Sequence, residues 1–209
     1  VNLVTLNSVD STNSFAQRML ANDLAPDSTV ILALEQTAGK GQRGNLWESR
    51  TNLGLYCSII FKPADLQVAS QFLFNKAVAV AVASFLEDRL NKKVHIKWPN
   101  DILVEGRKIA GLLIENSLRG DRIAAIISGI GINLNQNAFP DSFETQPTSM
   151  KIESGLEFDP NTEVRELFRY VFNAYQQFLM MEEERINSAY HHFLYGLNTP
   201  HSFIREGAV

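Results

Sequence analysis

The sequence predicts an α+β fold in which one sheet with antiparallel pairs packs against helices. Three observations predict it. Strand-like runs crowd the middle of the chain, between 93 and 134, with two tight turn signals inside them. Long helix-period segments are inserted before these runs and appended after them. No regular strand–helix alternation runs through the whole, which separates this pattern from a wound parallel sheet.

The elements follow in order. Ser11 and Thr12 precede "NSFAQRML", where Phe15, Met19 and Leu20 recur at helical spacing, so a short helix begins there and Pro26-Asp27 ends it. Thr29 to Leu34 and Leu53 to Phe61 are apolar and bounded by turn residues, as strands are. Ser70 to Leu90 is rich in Ala, Leu and Phe around most of its circumference, which predicts a largely buried helix ending near Asn91. "KVHIKW", "DILV", "RKIAGLLIE" and "RIAAIISGIGINL" then read as strands, with hairpin turns at Glu105-Gly106 and Arg119-Gly120-Asp121. Asn137 to Asp159 is polar and carries Pro140 and Pro147, which predicts a surface loop. Val164, Leu167, Phe168, Val171, Phe172, Tyr175, Phe178 and Leu179 mark the strongest amphipathic helix, and a further helix is expected over Glu182 to His192.

At 209 residues and 45% hydrophobic composition the chain suits one main domain. A net charge of −4 argues against a uniformly basic, nonspecific nucleic-acid surface. Cys57 is the single cysteine, so no intrachain disulfide can form and a cysteine zinc site has no support. With no long uncharged apolar run and no basic leader, the expected setting is the reducing cytoplasm, away from membranes.

Five stretches can carry chemistry, and each has a plainer reading beside it. In "QTAGKGQRGNLW", Gly39, Gly41 and Gly44 bring bare backbone, Lys40 and Arg43 bring charge and Trp47 a flat ring; the stretch suits an anion or serves as a turn between strands. It is neither a Walker loop nor a dinucleotide fingerprint, since no Lys-Ser/Thr pair follows and no helix opens there. "KWPND" puts Asn100 and Asp101 at a turn after Pro99, where they face a pocket or bond their own backbone. In "GRKIAGLLIE", strict alternation puts Lys108 with Ala110, Leu112 and Ile114, and Ile109, Gly111, Leu113 and Glu115 opposite. On that face Lys108 either snorkels to solvent or neutralises charge in a site. Gly129 and Gly131 of "GIGINLN", ahead of Asn133 and Asn135, mark close packing or a bulge. "DSTN" at Asp10 to Asn13 is a helix cap or a set of polar ligand contacts. The four histidines build no recognisable metal or triad spacing.

Taken in this order, "DSTN", "GKGQRGNLW", "KWPND", "GRKIAGLLIE" and "GIGINLN" resemble the catalytic domain of biotin–protein ligases, across roughly Val4 to Asn135. The resemblance implies a mixed, largely antiparallel sheet backed by helices, like that of class II aminoacyl-tRNA synthetases. It implies ATP-dependent activation of biotin as biotinyl-5'-AMP, with Mg²⁺, and transfer to a lysine of a biotin carboxyl carrier protein of acetyl-CoA carboxylase or a related carboxylase. By the same resemblance, Ser11, Thr12, Asn13, Gln36, Lys40, Gly41, Gln42 and Lys108 bind biotin. Arg43, Trp47, Asn100, Asp101 and Asn133 contact the nucleotide, Asp101 holds Mg²⁺, and Lys108 and Arg43 are catalytic.

Lys40 and Gln42 stand where the family loop commonly has arginines, which weakens bidentate phosphate contact. The resemblance further divides the chain into a catalytic domain over 1–192 and, over 193–209, the start of a small C-terminal barrel that stops short. It leaves no room before Val1 for a DNA-binding winged helix. An exposed sheet edge permits a homodimer. Two other readings stand beside this one: a lipoate–protein ligase or octanoyltransferase-like enzyme, and a noncatalytic biotin-binding module.

Overall fold

The computed structural model describes residues 2–141, 143 and 146–199, with the side chain of Arg43 outside that description. Eight strands form one sheet: β1 (Asn2–Leu6), β2 (Thr29–Ala33), β3 (Gly54–Phe61), β4 (Leu66–Gln67), β5 (Val94–Lys97), β6 (Asp101–Val104), β7 (Arg107–Arg119) and β8 (Arg122–Asn133). The order is β1-β2-β3-β8-β7-β6-β5, with the short β4 also paired to β8. Only β1 and β2 run parallel; every other pair is antiparallel. The sheet is therefore mixed and largely antiparallel, as expected.

Both expected hairpin turns form. Glu105 and Gly106 sit at φ 50° and 74°, the pair of positive values that a two-residue turn matched to strand twist requires, and Gly120 sits at φ 63°. The helices are α1 (Thr12–Ala21), α2 (Gln71–Leu90), α3 (Met150–Ser154), α4 (Pro160–Leu179) and α5 (Glu183–Phe193). Asn91 closes α2 in the left-handed conformation. Asp159 starts α4 by accepting the Asn161 and Thr162 N–H groups, with Pro160 in the first turn.

The two faces of the sheet are covered unequally. Helices α2, α4 and α5 bury one face in a single large core, where Phe61, Phe74, Tyr175 and Phe178 meet with ring centroids 4.2 to 6.2 Å apart. The segment Val68–Leu90 is apolar and long enough to cross a bilayer by composition, and here its apolar surface, from Phe74 to Leu90, faces this core. On the other face α1 alone packs Ala16, Phe15 and Met19 onto Ile31, Ile60 and Ile127. The rest of that face, over β7 and β8, is left for a pocket.

Several expectations needed correction. Strand β1 carried no strand signal, because a half-exposed five-residue edge lacks alternation over a useful length. The expected loop 137–159 contains α3, capped by Ser149 accepting the Ile152 N–H and ended by Gly155 at φ 75°; five residues are too few to show a 3.6 period. Helix α1 stops at Ala21, ahead of Pro26, and Asp101 belongs to β6 rather than to the turn. Of the expected C-terminal barrel start, 193–199 are described: Phe193 ends α5, and the Tyr195 N–H donates to the Ile96 carbonyl 2.9 Å away. Residues 200–209 lie outside the described residues.

Candidate active site

The pocket floor is bare backbone. Gly111 of β7 faces Gly131 of β8, and Leu113 faces Gly129. A Cβ on Gly131 would lie 2.6 Å from the Trp47 ring, one on Gly111 2.8 Å from it, and one on Gly129 2.4 Å from Asn13 Oδ1. The ladder between β3 and β8 runs unbroken through both β8 glycines, so close packing explains them and a bulge does not.

A bulge does occur next door, and it aims Lys108. Ile102 pairs with Ala110 but Leu103 pairs with Lys108, so Ile109 is an extra residue opposite β6. Ile109 and Ala110 both enter the core, which shifts the alternation by one. Lys108 thereby shares a face with Gly111, whose Cβ position lies 3.5 Å from Lys108 Cε, rather than with Ala110 and Leu112 as strict alternation predicts. Lys108 Nζ pairs with Asp101 Oδ1 at 2.7 Å and sits 5.4 Å from the Trp47 ring centroid.

The glycine-rich stretch folds as a clasp. Gly41 N–H donates to the Asn45 carbonyl at 2.7 Å, and Trp47 N–H to the Gly39 carbonyl at 3.0 Å. Gln42–Gly44 forms one turn of 3₁₀ helix, with Gly44 at φ 81°. Three residues are too few to present the N-terminus of a helix to a phosphate. A Cβ on Gly39 would press the Trp47 carbonyl at 2.4 Å, so the clasp closes only over glycine and lays the indole on the floor. Trp47 Nε1 is buried there without a hydrogen-bond partner in the protein. The assignment to Arg43 concerns a side chain outside the described residues.

At the inner end lies a buried polar relay. Ser11 occupies the cap position of α1, yet its side chain caps nothing and lines the pocket. Gln36 Oε1 accepts the Thr12 N–H at 2.8 Å. Ser58 Oγ lies 2.7 Å from Thr12 Oγ1 and 2.6 Å from Asn13 Oδ1. Asn13 Nδ2 donates to the Leu113 carbonyl at 3.1 Å and to Glu115 Oε2 at 2.6 Å. Ser58 and Glu115 were not anticipated; a serine in the otherwise apolar "GLYCSIIF" was the available signal. Burial pushes the neighbouring Cys57 thiol far up, so it stays a neutral wall residue.

The cavity enclosed by these parts measures about 350 Å³ and gathers Ser11, Thr12, Asn13, Gln36, Lys40, Gly41, Gln42, Trp47, Asn100, Asp101 and Lys108. A second cavity, about 390 Å³, shares Leu46, Trp47 and Lys108 with it and adds Arg50, Asn133, Phe139, Phe143 and Pro147. Lys108 and Trp47 thus form the partition. Two expected ligand contacts already serve the protein: Asn100 Nδ2 donates to the Leu112 carbonyl at 2.8 Å, and Asn133 is held between the Thr148 carbonyl and Gln136. Among the described residues no cluster of three His, Cys, Asp or Glu could hold a metal ion; Asp101 is the one carboxylate lining the first cavity.

Residues 5–133, more than half the chain, match the model of the biotin/lipoate A/B protein ligase family. The chain belongs to that family. Among relatives of this family chain, the bifunctional ligase/repressor BirA of Bacillus subtilis is 39% identical over 142 residues, covering 67% of this chain and 43% of that protein. The biotin–[acetyl-CoA-carboxylase] ligase of Paracoccus denitrificans is 36% identical over 154 residues, covering 72% of this chain and 63% of that protein. The chain spans about half the length of the curated relatives it matches. A biotin protein ligase from Aquifex aeolicus, solved with biotin and ATP, superposes with a TM-score of 0.79 at 25% identity, over 93% of this chain and 79% of that one.

Proposed function

We propose that the chain is the catalytic unit of an ATP-dependent biotin–protein ligase. The observation that carries this reading is the position of Lys108 on the partition between two cavities of different character. The first ends in amide and hydroxyl groups, which suit the cyclic urea of biotin and leave its carboxylate near Lys108. The second is walled by Trp47, Phe139, Phe143 and Pro147, which suit a flat nucleoside, and its phosphates would then reach the same lysine.

In the first step a biotin carboxylate oxygen attacks the α-phosphorus of ATP. The bond to the β-phosphate bridge breaks and pyrophosphate leaves. In the second, a carrier lysine amine attacks the acyl carbon, the acyl–phosphate C–O bond breaks, and AMP and a proton depart. Both steps gather negative charge, which a fixed ammonium in a partly enclosed cavity stabilises. Lys108 is held by Asp101 until an anion competes for it. Mg²⁺ would arrive on the nucleotide phosphates, with Asp101 as its protein carboxylate, and would neutralise phosphate charge. Gly41 and the side chains of Lys40 and Gln42 close the rim over the reacting carboxylate.

The partner is a biotin carboxyl carrier domain. Incubation with biotin, Mg-ATP and such a domain should add one biotinyl group to one carrier lysine, read by intact mass. Transfer of lipoate in preference to biotin would replace this reading with lipoate ligation, and absence of any adenylate would reject catalysis.

A further inference from the structure

We infer that Glu115 and Ser58 fix the direction of the hydrogen bonds in the inner pocket, so that Thr12 presents an acceptor to the ligand and the site selects a urea over a disulfide ring. The inference rests on the biotin reading above and assigns its specificity to residues outside the ligand's reach.

Asn13 is buried, and its Nδ2 carries two hydrogens, taken by the Leu113 carbonyl and Glu115 Oε2 at 3.1 and 2.6 Å. Both acceptors have no hydrogen to give, so the amide cannot flip. Its oxygen must therefore face Ser58, 2.6 Å away, and can only accept. Ser58 has one hydrogen and spends it on Asn13. The 2.7 Å contact between Ser58 and Thr12 still needs a hydrogen between its oxygens, and only Thr12 can supply it. The 3.2 Å approach of Thr12 Oγ1 to Gln36 Oε1 is the weaker alternative, and that oxygen already takes the Thr12 N–H.

With its hydrogen committed inward, Thr12 Oγ1 offers lone pairs to the cavity. Gln36, whose Oε1 is turned to Thr12, has its amide nitrogen as the complementary donor. An acceptor beside a donor matches the N–H and C=O edge of a cyclic urea. A dithiolane ring has neither group and would leave both unpaired, which is the costly outcome in a buried site. Glu115 lies on the same face of β7 as Leu113 and also accepts from Gln17 of α1 at 3.1 Å, so it is held from two sides.

Glu115 and Ser58 are positioning residues, and calorimetric titration of biotin and of lipoate against the full chain and three variants tests them. Glu115→Leu removes the acceptor and should weaken biotin at least about tenfold while leaving lipoate affinity and the ATP KM unchanged. Glu115→Gln keeps an acceptor oxygen and should restore biotin affinity to within about threefold, as loss of roughly half a hydrogen bond would. Should leucine disturb the sheet, Ser58→Ala opens the relay from its far end and should narrow the biotin-to-lipoate ratio in the same way. Equal losses for biotin, lipoate and ATP, or no loss in Glu115→Leu, would overturn the inference. Side-chain amide exchange at Asn13 reads the relay without ligand: slow in the parent chain and at least about tenfold faster in Glu115→Leu. Slow exchange persisting in that variant overturns the relay itself, whereas a parent chain that binds no biotin overturns the biotin reading.

Discussion

The segment that walls the second cavity is tied down at one buried carboxylate, and replacing Glu153 by alanine should release it. Glu153 accepts from Lys92 Nζ at 2.7 Å, from Arg107 Nη2 at 2.6 Å and from the Thr148 hydroxyl. Thr148 in turn donates its N–H to the Lys108 carbonyl at 2.8 Å and accepts from Asn133. Breaking a fully buried pair from one side costs roughly 3–5 kcal/mol. Here the two cations are 36% and 39% exposed and can rehydrate, which lowers the expectation to about 2–3 kcal/mol. For a chain of this size that is a fall in Tm of about 5–10 °C. The pH dependence gives a second signature. Burial alone would push the Glu153 carboxyl up, but hydrogen bonds from Lys92 and Thr148 and the charge of Arg107 outweigh it and hold the carboxyl below its ordinary 4.5. A depressed folded-state value stabilises above the unfolded value, and the contribution is lost as pH falls through the folded one. Urea unfolding of the parent and Glu153→Gln should therefore differ at pH 7, and the gap should close as the pH falls from 4.5 through the lower folded-state value. Unfolding free energies of Glu153→Ala and parent within about 0.5 kcal/mol at pH 7, or a gap that persists in acid, would refute this account.

Other predictions follow from the same geometry. Gly131→Ala puts a methyl 2.6 Å from the indole and must lift it off the floor, so adenylate formation should fall more than about tenfold while far-UV circular dichroism stays unchanged; parent-like turnover would remove Trp47 from the floor. Phe74→Ala empties the centre of the aromatic cluster and should cost about 3–5 kcal/mol by denaturant titration, with less than about 1 expected only if the cluster closes over the gap.

Much of this was legible in the residues. Both hairpin turns, the buried α2 and the amphipathic α4 follow from glycine placement and period, and the glycine clasp announced itself by composition. Which face Lys108 occupies was not legible, because the β6–β7 bulge depends on pairing between strands and leaves the sequence alternation looking regular. The same holds for the relay: Glu115 lies 102 residues from Asn13, and only the sheet brings α1 over β7. Asn133 and Asn100 read as ligand contacts, yet their amides first hold backbone in place, which a motif cannot reveal.

The bulge aims Lys108 at the partition between the two cavities, where both reacting anions would meet it. Pyrophosphate release with saturating biotin and Mg-ATP, set beside calorimetric biotin affinity, measures its role in Lys108→Ala. A loss of about a hundredfold or more in rate, with a far smaller change in affinity, is the expected result. Equal release rates in variant and parent would contradict it.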